Sequence, residues 1–442
     1  MSFDIQTLSL SEICTDISYG YTASANSEIV GPKFLRITDI QGGVVDWDTV
    51  PYCEIPESKL NKNLLSQGDI VVARTGNSTG ENYMFSGDEP SVFASYLIRF
   101  KVDSNIANPH YVWLQMRTRR WWDFVSGAKS GSAQAGANAT VLGKFEVNLP
   151  PKHVQDYVVE VISCLSSKIS LNTSTNQTLE QMAQAIFKSW FVDFDPVKAK
   201  MNGEQPEGMD AATASLFPEK LVESELGLIP EGWSVEEAKS QLDVLRGFSY
   251  KGKGLVGSLD EGVPMHNLNS VLEGGGYKYA GLKFYSEEFK EKFAIQEGDV
   301  LVANTEQGHN HLLIGYGAMV PKHLAHGFFS HHTYRVRPKK NSNMTPEFIE
   351  RLFGKGRFVR QVQGFTNGTT VNMLPVAGME MPQFVVPSKA LAQKFSELVK
   401  PMKAMIEENH KSNIELAKLR DTLLPKLLSG EIELAEISKT IK

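Results

Sequence analysis

The sequence predicts an α+β fold in which two duplicated, mixed α/β domains are separated by an antiparallel pair of long coiled-coil helices. Three observations indicate this fold class: a strand-like segment occurs twice, a long helical pattern follows each copy, and the two helical patterns match position by position. A chain of 442 residues is also longer than one hydrophobic core usually supports, so more than one domain is expected.

The duplicated segment reads QGDIVVART at residues 67–75 and EGDVLVANT at residues 297–305. A short apolar run bounded by glycine turns is typical of a buried strand, so each copy is predicted to contain one. Upstream of these strands, Gly20 matches Gly247, and an aromatic residue follows each glycine. Repeats at this spacing indicate that one domain occurs twice in the chain.

A long helical pattern follows each copy of the strand. In both patterns the predicted core positions are spaced alternately by three and four residues, which is typical of a coiled-coil seam. The first seam consists of Ile162, Leu165, Ile169, Asn172, Asn176, Leu179, Ala183, Ile186 and Trp190. The second seam, 237 residues further along, consists of Val399, Met402, Ile406, Asn409, Asn413, Leu416, Arg420, Leu423 and Leu427. Eight of the nine positions keep their chemical character, so we expect the duplication to include the helices.

Each seam contains two asparagines at matching positions. If the helices pair in antiparallel fashion, Asn172 is expected near Asn413 and Asn176 near Asn409. Buried asparagines lower the stability of a helix pair but fix its register, because a slipped pairing leaves their amides without hydrogen bonds. The alternative is that these four residues lie at a solvated edge of the seam.

These patterns divide the chain into five segments. They are a first globular domain at residues 1–149, a central helix at 150–192, a partly ordered linker at 193–232, a second globular domain at 233–386 and a C-terminal helix at 387–432. Two features depart from an ideal helix pair. Pro401 is expected to interrupt and kink the second helix, and Arg420 replaces Ala183 in the seam.

The composition excludes several classes of protein. The formal net charge of −6 argues against a protein that coats nucleic acid through bulk positive charge, although a local basic surface would be enough to bind it. No apolar run approaches the ~18 residues of a membrane span, and the N-terminus has no signal pattern. The three cysteines form no CxxC pair, which favours free thiols in a reduced cytoplasmic setting.

Two patterns could suggest cofactor or metal chemistry, and we expect neither group to be bound. Residues 247–254 match the G-x-x-x-x-G-K part of a phosphate loop, but glycine follows where magnesium binding needs serine or threonine. The histidines between residues 309 and 332 have no acidic or cysteine ligand at a familiar spacing, and the first domain has no counterparts. A flexible basic loop that faces phosphate is the favoured interpretation of the first pattern. The histidines are interpreted as nucleic-acid contacts or as plain surface residues.

Three further motifs resemble one known family. They are SWFVDFDP at residues 189–196, LIPEGW at residues 228–233 and LLPKLLSGEI at residues 423–432. Together with the order domain, helix, domain, helix, they resemble the specificity subunits of type I restriction–modification systems. A duplicated scaffold that binds only proteins is the alternative.

The resemblance implies a non-catalytic subunit that binds double-stranded DNA. Each globular domain would be a target recognition domain that reads one half of a bipartite, asymmetric site. The helices would set the spacer between the half-sites and dock two methyltransferase (modification) subunits, with motor-nuclease (restriction) subunits completing the complex. Methylation, S-adenosylmethionine binding and ATP hydrolysis would belong to these partners.

The loop after each duplicated strand is the first candidate for DNA contact, because base edges are read by polar side chains on loops of a rigid scaffold. The candidates are Arg74, Thr75, Asn77 and Ser78 in the first copy, and Asn304, Thr305, Gln307, His309 and Asn310 in the second. The same residue types also build ordinary turns, which is the competing interpretation.

Basic helices, glycine-rich loops and the 247–254 segment supply the remaining candidates. Arginines on the helices could contact phosphates without reading sequence. The two glycine-rich loops, at residues 129–134 and 364–369, lie at matching places before the long helices. These candidates are Arg117, Arg119, Arg120, Lys129 and Gln134 in the first domain, and Lys251, Lys253, Arg357, Arg360, Thr366 and Asn367 in the second. Trp121 or Trp122 is expected to belong to the core.

Overall fold

The computed structural model describes residues 4–130, 137–308, 310–368 and 371–431, without the side chains of Lys129 and Ser130. The chain divides into two compact units, of which unit 1 consists of Met1–Leu171 with Ser412–Lys442 and unit 2 of Asn172–Lys411. Each unit therefore contains one globular domain and a part of each long helix.

Unit 1 contains a four-stranded antiparallel sheet with the strand order β2-β7-β4-β5. Its strands are β1 (Gln6–Ser9), β2 (Cys14–Tyr19), β3 (Lys33–Leu35), β4 (Ile70–Ala73), β5 (Asn82–Met84), β6 (Ser91–Phe93), β7 (Leu97–Val102) and β8 (Glu146–Leu149). Its helices are α1 (Leu10–Ile13), α2 (Glu57–Asn63), α3 (Pro109–Gln115), α4 (Arg119–Ser130), α5 (Ala139–Leu142) and the first part of α6 (Lys152–Lys188). Strands β3 and β6 form a parallel pair, and β1 and β8 an antiparallel pair.

Unit 2 repeats this topology in the sheet with the order β12-β20-β16-β18. Its strands are β9 (Leu221–Ser224), β10 (Gly227–Pro230), β11 (Ser234–Glu237), β12 (Leu242–Arg246), β13 (Leu255–Val256), β14 (Val263–His266), β15 (Lys283–Tyr285), β16 (Val300–Ala303), β17 (Thr305–Gln307), β18 (Gly317–Met319), β19 (Phe328–Phe329), β20 (Thr333–Pro338), β21 (Val371–Met373) and β22 (Gln383–Val386). Its helices are the end of α6, α7 (Asp195–Met201), α8 (Ala211–Ser215), α9 (Ala238–Gln241), α10 (Pro346–Leu352), α11 (Arg357–Gln363), α12 (Ala377–Glu380) and the first part of α13 (Lys389–Ser429). The parallel pair β14–β19 and the antiparallel pair β11–β22 correspond to β3–β6 and β1–β8.

The duplicated strands β4 and β16 are buried on both faces, which explains their unbroken apolar sequence. In β4, Ile70 and Val72 face the core beneath the helices of unit 1, whereas Val71 and Ala73 face a second core on the other side of the sheet. All four residues are fully buried. The buried strand predicted for each repeat is therefore confirmed.

Gly20 and Gly247 occupy equivalent positions at which a neighbouring segment passes too close for a side chain. A Cβ atom on Gly20 would lie 2.2 Å from the carbonyl oxygen of Phe93, and one on Gly247 would lie 2.1 Å from that of Ser330. Backbone atoms cannot move aside as the end of a flexible side chain can. The close approach therefore requires glycine in both repeats.

We expect Gly247→Ala to lower the free energy of unfolding by about 1–3 kcal/mol, because the added methyl group overpacks rigid backbone. Urea unfolding of the purified chain measures this change. Gly252→Ala is the matched control, since a Cβ atom on Gly252 meets no atom within 4 Å. Equal stability of the two variants would contradict this account of the repeated glycine.

Within each unit, α6 and α13 pack together in opposite directions. In unit 1, Val158 and Ile162 near the start of α6 share a core with Leu427 near the end of α13. In unit 2, Phe187 near the end of α6 lies 5.6 Å (ring centroids) from Phe395 near the start of α13. The helix pair is therefore antiparallel, as predicted.

The seam asparagines take part in this pairing. Nδ2 of Asn409 donates to Oδ1 of Asn176 at 2.9 Å, which is the contact that the matching seams predict. In unit 1, Nδ2 of Asn413 lies 3.4 Å from the carbonyl oxygen of Ile169, on the facing helix. Asn172 is buried. Amides that bond across the pair are positioned to fix its register, which stays a proposal.

Two expectations about the chain between and within the helices are corrected. Helix α13 is not interrupted at Pro401, whose ring lies on the exposed side of the helix, where water can bond to the carbonyl that the missing N–H leaves free. Residues 193–232 do not form a separate linker. Phe194, Val197 and Phe217 lie in the main core of unit 2, so this segment is part of the second domain.

Candidate nucleic-acid interface

Arg74 begins the loop that follows β4, at the end of the central sheet of unit 1. Its Nε donates to the carbonyl oxygen of Ser95 at 3.1 Å. The guanidinium lies 5.0 Å from the ring centroid of Tyr19 and 6.0 Å from that of Tyr96. Among the described residues, neither terminal nitrogen of Arg74 has a hydrogen-bond partner. The side chain is therefore held in one orientation with its terminal fork available.

The rest of the first loop is a compact turn. The backbone N–H of Gly80 donates to the carbonyl oxygen of Ala73 at 2.9 Å and closes it. Asn77 is exposed at its tip, Thr75 is half-buried, and the hydroxyl of Ser78 is hydrogen-bonded to the side chain of Gln41. These residues therefore form an ordinary turn, as the competing interpretation predicted. Asn77 is nevertheless exposed at the tip of this turn and remains a candidate for DNA contact.

The second loop differs, and two of its candidates are corrected. Asn304 and Thr305 are 2% and 4% exposed, so their side chains are not available to a base edge. Nδ2 of Asn304 donates to the carbonyl oxygen of His331 at 3.0 Å, and the Thr305 hydroxyl lies 3.1 Å from Nδ1 of His332. Contacts with a segment about 27 residues away in sequence bury both side chains, which the local pattern could not reveal.

The burial of Asn304 and Thr305 does not extend to the other candidates of the second loop. Gln307, in strand β17, and Asn310 are exposed and remain candidates. His309 lies outside the described residues. Strand β17 pairs with β21, so the loop continues as a strand rather than as a turn.

In both units the strand-following loop is bonded to the segment after the glycine-rich loop. The backbone N–H of Ala137 donates to the carbonyl oxygen of Arg74 at 3.0 Å, and that of Leu374 to the carbonyl oxygen of Asn304 at 2.9 Å. Ala137 and Leu374, which follow the glycine-rich loops, therefore lie beside the first residue of the strand-following loop, at one end of each central sheet. Lys129, by its side chain, and Gln134, entirely, lie outside the described residues.

The second glycine-rich loop adds two candidates to this surface. Asn367 is exposed, and its backbone is hydrogen-bonded in both directions to that of Met373. The Thr366 hydroxyl donates to the carbonyl oxygen of Gln363 at 2.8 Å. The amide of Gln363 in turn donates to the carbonyl oxygen of Ile314 at 2.9 Å, which ties this loop to the segment after β17.

The arginines near α4 divide into one half-buried and two exposed residues. Arg117 is half-buried, it donates to the carbonyl oxygen of Gly42 at 2.7 Å, and burial lowers its pKa, so at least part of its side chain holds the protein's own backbone and its contact with DNA stays a prediction. The Arg119 side chain is 93% exposed beside Asp123. Arg120 is half-exposed, 4.0 Å from Glu146.

Trp121 is fully buried, and its indole N–H donates to the carbonyl oxygen of Gly80 at 2.8 Å. The expectation of a core tryptophan in this basic stretch is confirmed. The indole anchors α4 beneath the turn that follows β4.

The basic candidates of unit 2 are exposed. Arg357 and Arg360 lie on α11, and one terminal nitrogen of Arg357 donates to the carbonyl oxygen of Leu226 at 2.8 Å. Lys251 directly precedes the 3₁₀ turn Gly252–Gly254, and Lys253 lies within it. Lys253 pairs with Glu287 at 2.9 Å, which raises the pKa of the lysine. Part of this basic surface is thus neutralised within the protein.

The part of the chain that the structure describes contains neither a metal site nor a phosphate loop. Among residues 4–130, 137–308, 310–368 and 371–431, no three histidine, cysteine or acidic side chains gather as a metal site. The segment at 247–254 leads into a three-residue 3₁₀ turn and then β13, whereas a phosphate loop opens an α-helix. None of the described helices is long and apolar enough to cross a membrane.

Sequence reasoning missed Tyr19, Tyr96 and Arg246, which lie at the same end of the two sheets. Arg246 ends β12, and its Nε lies 3.3 Å from the carbonyl oxygen of His331. Tyr19 and Arg246 each directly precede the repeated glycine, so the alignment of the repeats marks their position. The repeated glycine could therefore have identified this position, although it holds a tyrosine in the first copy and an arginine in the second.

Comparisons with known proteins agree with this architecture. The model of the type I restriction modification DNA specificity domain family matches residues 5–181. The chain is 24% identical to the specificity subunit of the type I restriction enzyme HindI from Haemophilus influenzae, over 97% of this chain and 100% of that protein. It is also 24% identical to the MjaIX specificity subunit from Methanocaldococcus jannaschii, over 74% of this chain and 70% of that protein.

A solved structure shares the fold. The S subunit of a type I restriction–modification system from M. genitalium matches 96% of both chains with a TM-score of 0.56 at 11% sequence identity. Residues 5–181 thus match the type I restriction modification DNA specificity domain family, and over nearly its whole length the chain is similar in sequence to type I specificity subunits and shares the fold of one.

Proposed function

We propose that this chain reads DNA sequence as the specificity subunit of a type I restriction–modification complex. Each domain reads one half of a bipartite, asymmetric site in double-stranded DNA. One observation carries this assignment: the central sheets of the two units have the same topology, yet the side chains at the end of each sheet differ. A common scaffold with different exposed side chains is what two readers of different half-sites require.

The proposed contacts fall into two classes. Arg74 and Asn77 in unit 1, and Gln307 and Asn310 in unit 2, are the candidates for reading bases, since they stand at the ends of the sheets. Arg119 and Arg360 lie exposed on helices and are suited to phosphates, which position a protein on DNA without specifying sequence.

The partners belong to the same proposal. The paired helices dock two methyltransferase subunits and set the spacer, and motor-nuclease subunits complete the complex, so this chain itself catalyses no reaction and needs no cofactor. Because the DNA that such a complex reads lies in the cytoplasm, the proposed location of the chain is cytoplasmic. With a net charge of −6, the chain alone is expected to bind DNA weakly, and its partners supply part of the positive surface.

An exchange of domains tests this function. Replacing residues 1–149 by the matching domain of a relative should change one half-site of the methylated motif and leave the other intact, because each domain has its own loops. The reciprocal exchange of residues 193–386, which includes the segment that packs into the core of unit 2, is the matched control and should change only the other half. Mapping methylated adenines in cells that carry each chimera measures both.

Two outcomes would contradict the proposal. A change of both half-sites by one exchange would mean that the domains do not read independently. If the purified complex with methyltransferase subunits showed no sequence-dependent DNA affinity, the chain would be a scaffold that binds only proteins.

A further inference from the structure

Backbone hydrogen bonds establish which positions of the two units are equivalent. The N–H of Ser95 donates to the carbonyl oxygen of Tyr21 at 2.9 Å, and the N–H of His331 donates to that of Phe248 at 2.9 Å. Because each pair lies next to the repeated glycine, Ser95 and His331 are equivalent.

The same argument relates the residues that end the central strands. The N–H of Arg74 donates to the carbonyl oxygen of Tyr96, and that of Asn304 to the carbonyl oxygen of His332, both at 3.1 Å. Arg74 and Asn304 are therefore equivalent. Arg246 directly precedes Gly247 at the end of β12, where unit 1 has a tyrosine.

The two units place an arginine on the same carbonyl from different strands. In unit 1, Nε of Arg74 donates to the carbonyl oxygen of Ser95 at 3.1 Å. In unit 2, Nε of Arg246 donates to the equivalent carbonyl oxygen of His331 at 3.3 Å. In unit 1 the arginine follows β4, whereas in unit 2 it ends β12, which is the counterpart of β2. In both units its Nε donates to the equivalent backbone carbonyl.

An arginine anchored through Nε keeps its two terminal nitrogens as a parallel fork. Among the described residues, no hydrogen bond from these nitrogens is found for Arg74 or Arg246, and Arg246 is exposed. The charge of Arg246 also contributes, after burial and the charge of His331, to a lowered pKa of His332, which places the guanidinium beside this loop. The O6 and N7 atoms of guanine accept such a fork in the major groove.

We propose that Arg246 is the counterpart of Arg74 and that each arginine specifies a guanine at the equivalent place in its own half-site. The inference rests on the proposed function and adds a residue and a base to it. Asn304, which aligns with Arg74 in sequence, does not read a base, because it is buried on the carbonyl oxygen that Arg246 also contacts.

The test uses the full chain assembled with its methyltransferase subunits. Arg246→Ala should relax one guanine position of the second half-site, with about 5- to 150-fold less discrimination between guanine and other bases there. Arg246→Lys should keep more of the overall affinity but lose the same discrimination, because it retains the charge without the fork. Arg74→Ala should relax one position of the first half-site only.

The control is Lys340→Ala, since Lys340 is exposed beyond the opposite end of β20 and its loss should leave the motif unchanged. Binding to oligonucleotides with single-base replacements, together with thermal unfolding, gives the readout. An unchanged motif and affinity in Arg246→Ala would overturn the inference, as would equal weakening at every base with lowered thermal stability. The domain exchange would still succeed in either case, whereas a complex without sequence preference would refute the proposed function itself.

Discussion

Lengthening both long helices by one heptad is expected to lengthen the unread spacer of the DNA site by up to ~3 base pairs. Helices α6 and α13 have 37 and 41 residues. One heptad adds ~10 Å at 1.5 Å per residue and keeps the seam in phase. Because stacked base pairs rise 3.4 Å, this length corresponds to ~3 base pairs, and to fewer if the helices lie oblique to the DNA.

The structure decides where the heptads must be inserted. Leu179 and Leu416 are equivalent in sequence, but equivalent positions do not face each other in an antiparallel pair. Asn176 faces Asn409, so the level just after Leu179 faces the level just before Ile406. Insertions after residue 179 and after residue 405 therefore extend both helices at one level and retain the asparagine contact.

The methylation motif of cells that carry the lengthened subunit gives the result. Both half-sites should keep their bases while the spacer grows, and sites with the original spacer should be lost. Insertion of one heptad into α6 alone is the control, which breaks the register and should abolish modification. An unchanged spacer with full activity would mean that the helices do not measure the distance.

The second large effect is expected at Glu350, a buried carboxylate of α10. Glu350 forms an ion pair with Lys403 of α13 and lies 3.3 Å from Arg351, while its Oε1 accepts the backbone N–H of Met319 at 3.1 Å. Arg351 also binds Glu180 of α6. These contacts join the second domain to both long helices within unit 2.

We expect Lys403→Met to lower the free energy of unfolding by about 3–5 kcal/mol, because it leaves a buried charge with only one of its two cationic partners. Lys394→Met is the matched control on the same helix, since its partner Glu397 is exposed and such surface pairs contribute about 0–1 kcal/mol. Urea unfolding at neutral pH measures both. Equal effects of the two variants would contradict a structural role for the buried network.

The pH dependence of stability provides a second measurement on Glu350. Burial acts to raise its pKa, but the charges of Lys403 and Arg351 prevail and lower it from the usual 4.5 to about 2. A lowered pKa means that the carboxylate stabilises the folded state above pH about 4.5 and that this contribution is lost as the pH falls towards 2. Glu350→Gln should lack that part of the acid sensitivity.

Much of the fold could be predicted because it is encoded in regular spacings. The strands β4 and β16 follow from short apolar runs between glycines, and the helix seam follows from positions three and four residues apart. The antiparallel direction and the contact of Asn176 with Asn409 follow from comparing the two seams. Each of these features depends on residues close together in sequence or on the repeat itself.

The loops at the ends of the central sheets could be predicted from the sequence. Which of their polar side chains are exposed and which are bonded within the protein could not. Asn304 has the composition of a base reader, yet it is buried against His331. Arg117 lies in a basic stretch, yet it binds the carbonyl oxygen of Gly42, 75 residues away. Whether a polar side chain can contact DNA depends on its burial and on its hydrogen bonds to segments distant in sequence. A local sequence pattern does not encode these contacts.

The sequence by itself determined the duplication, the positions of the duplicated strands and of the two long helices, and the antiparallel pairing, because periodicity and repetition are properties of the chain alone. Only the tertiary structure showed that residues 193–232 belong to the second domain. It also showed that Arg246, rather than Asn304, makes the backbone contact through Nε that Arg74 makes in unit 1. The physical reason is that the two arginines share a backbone carbonyl partner and not a sequence position. Equivalence of that kind exists only after the segments have packed together.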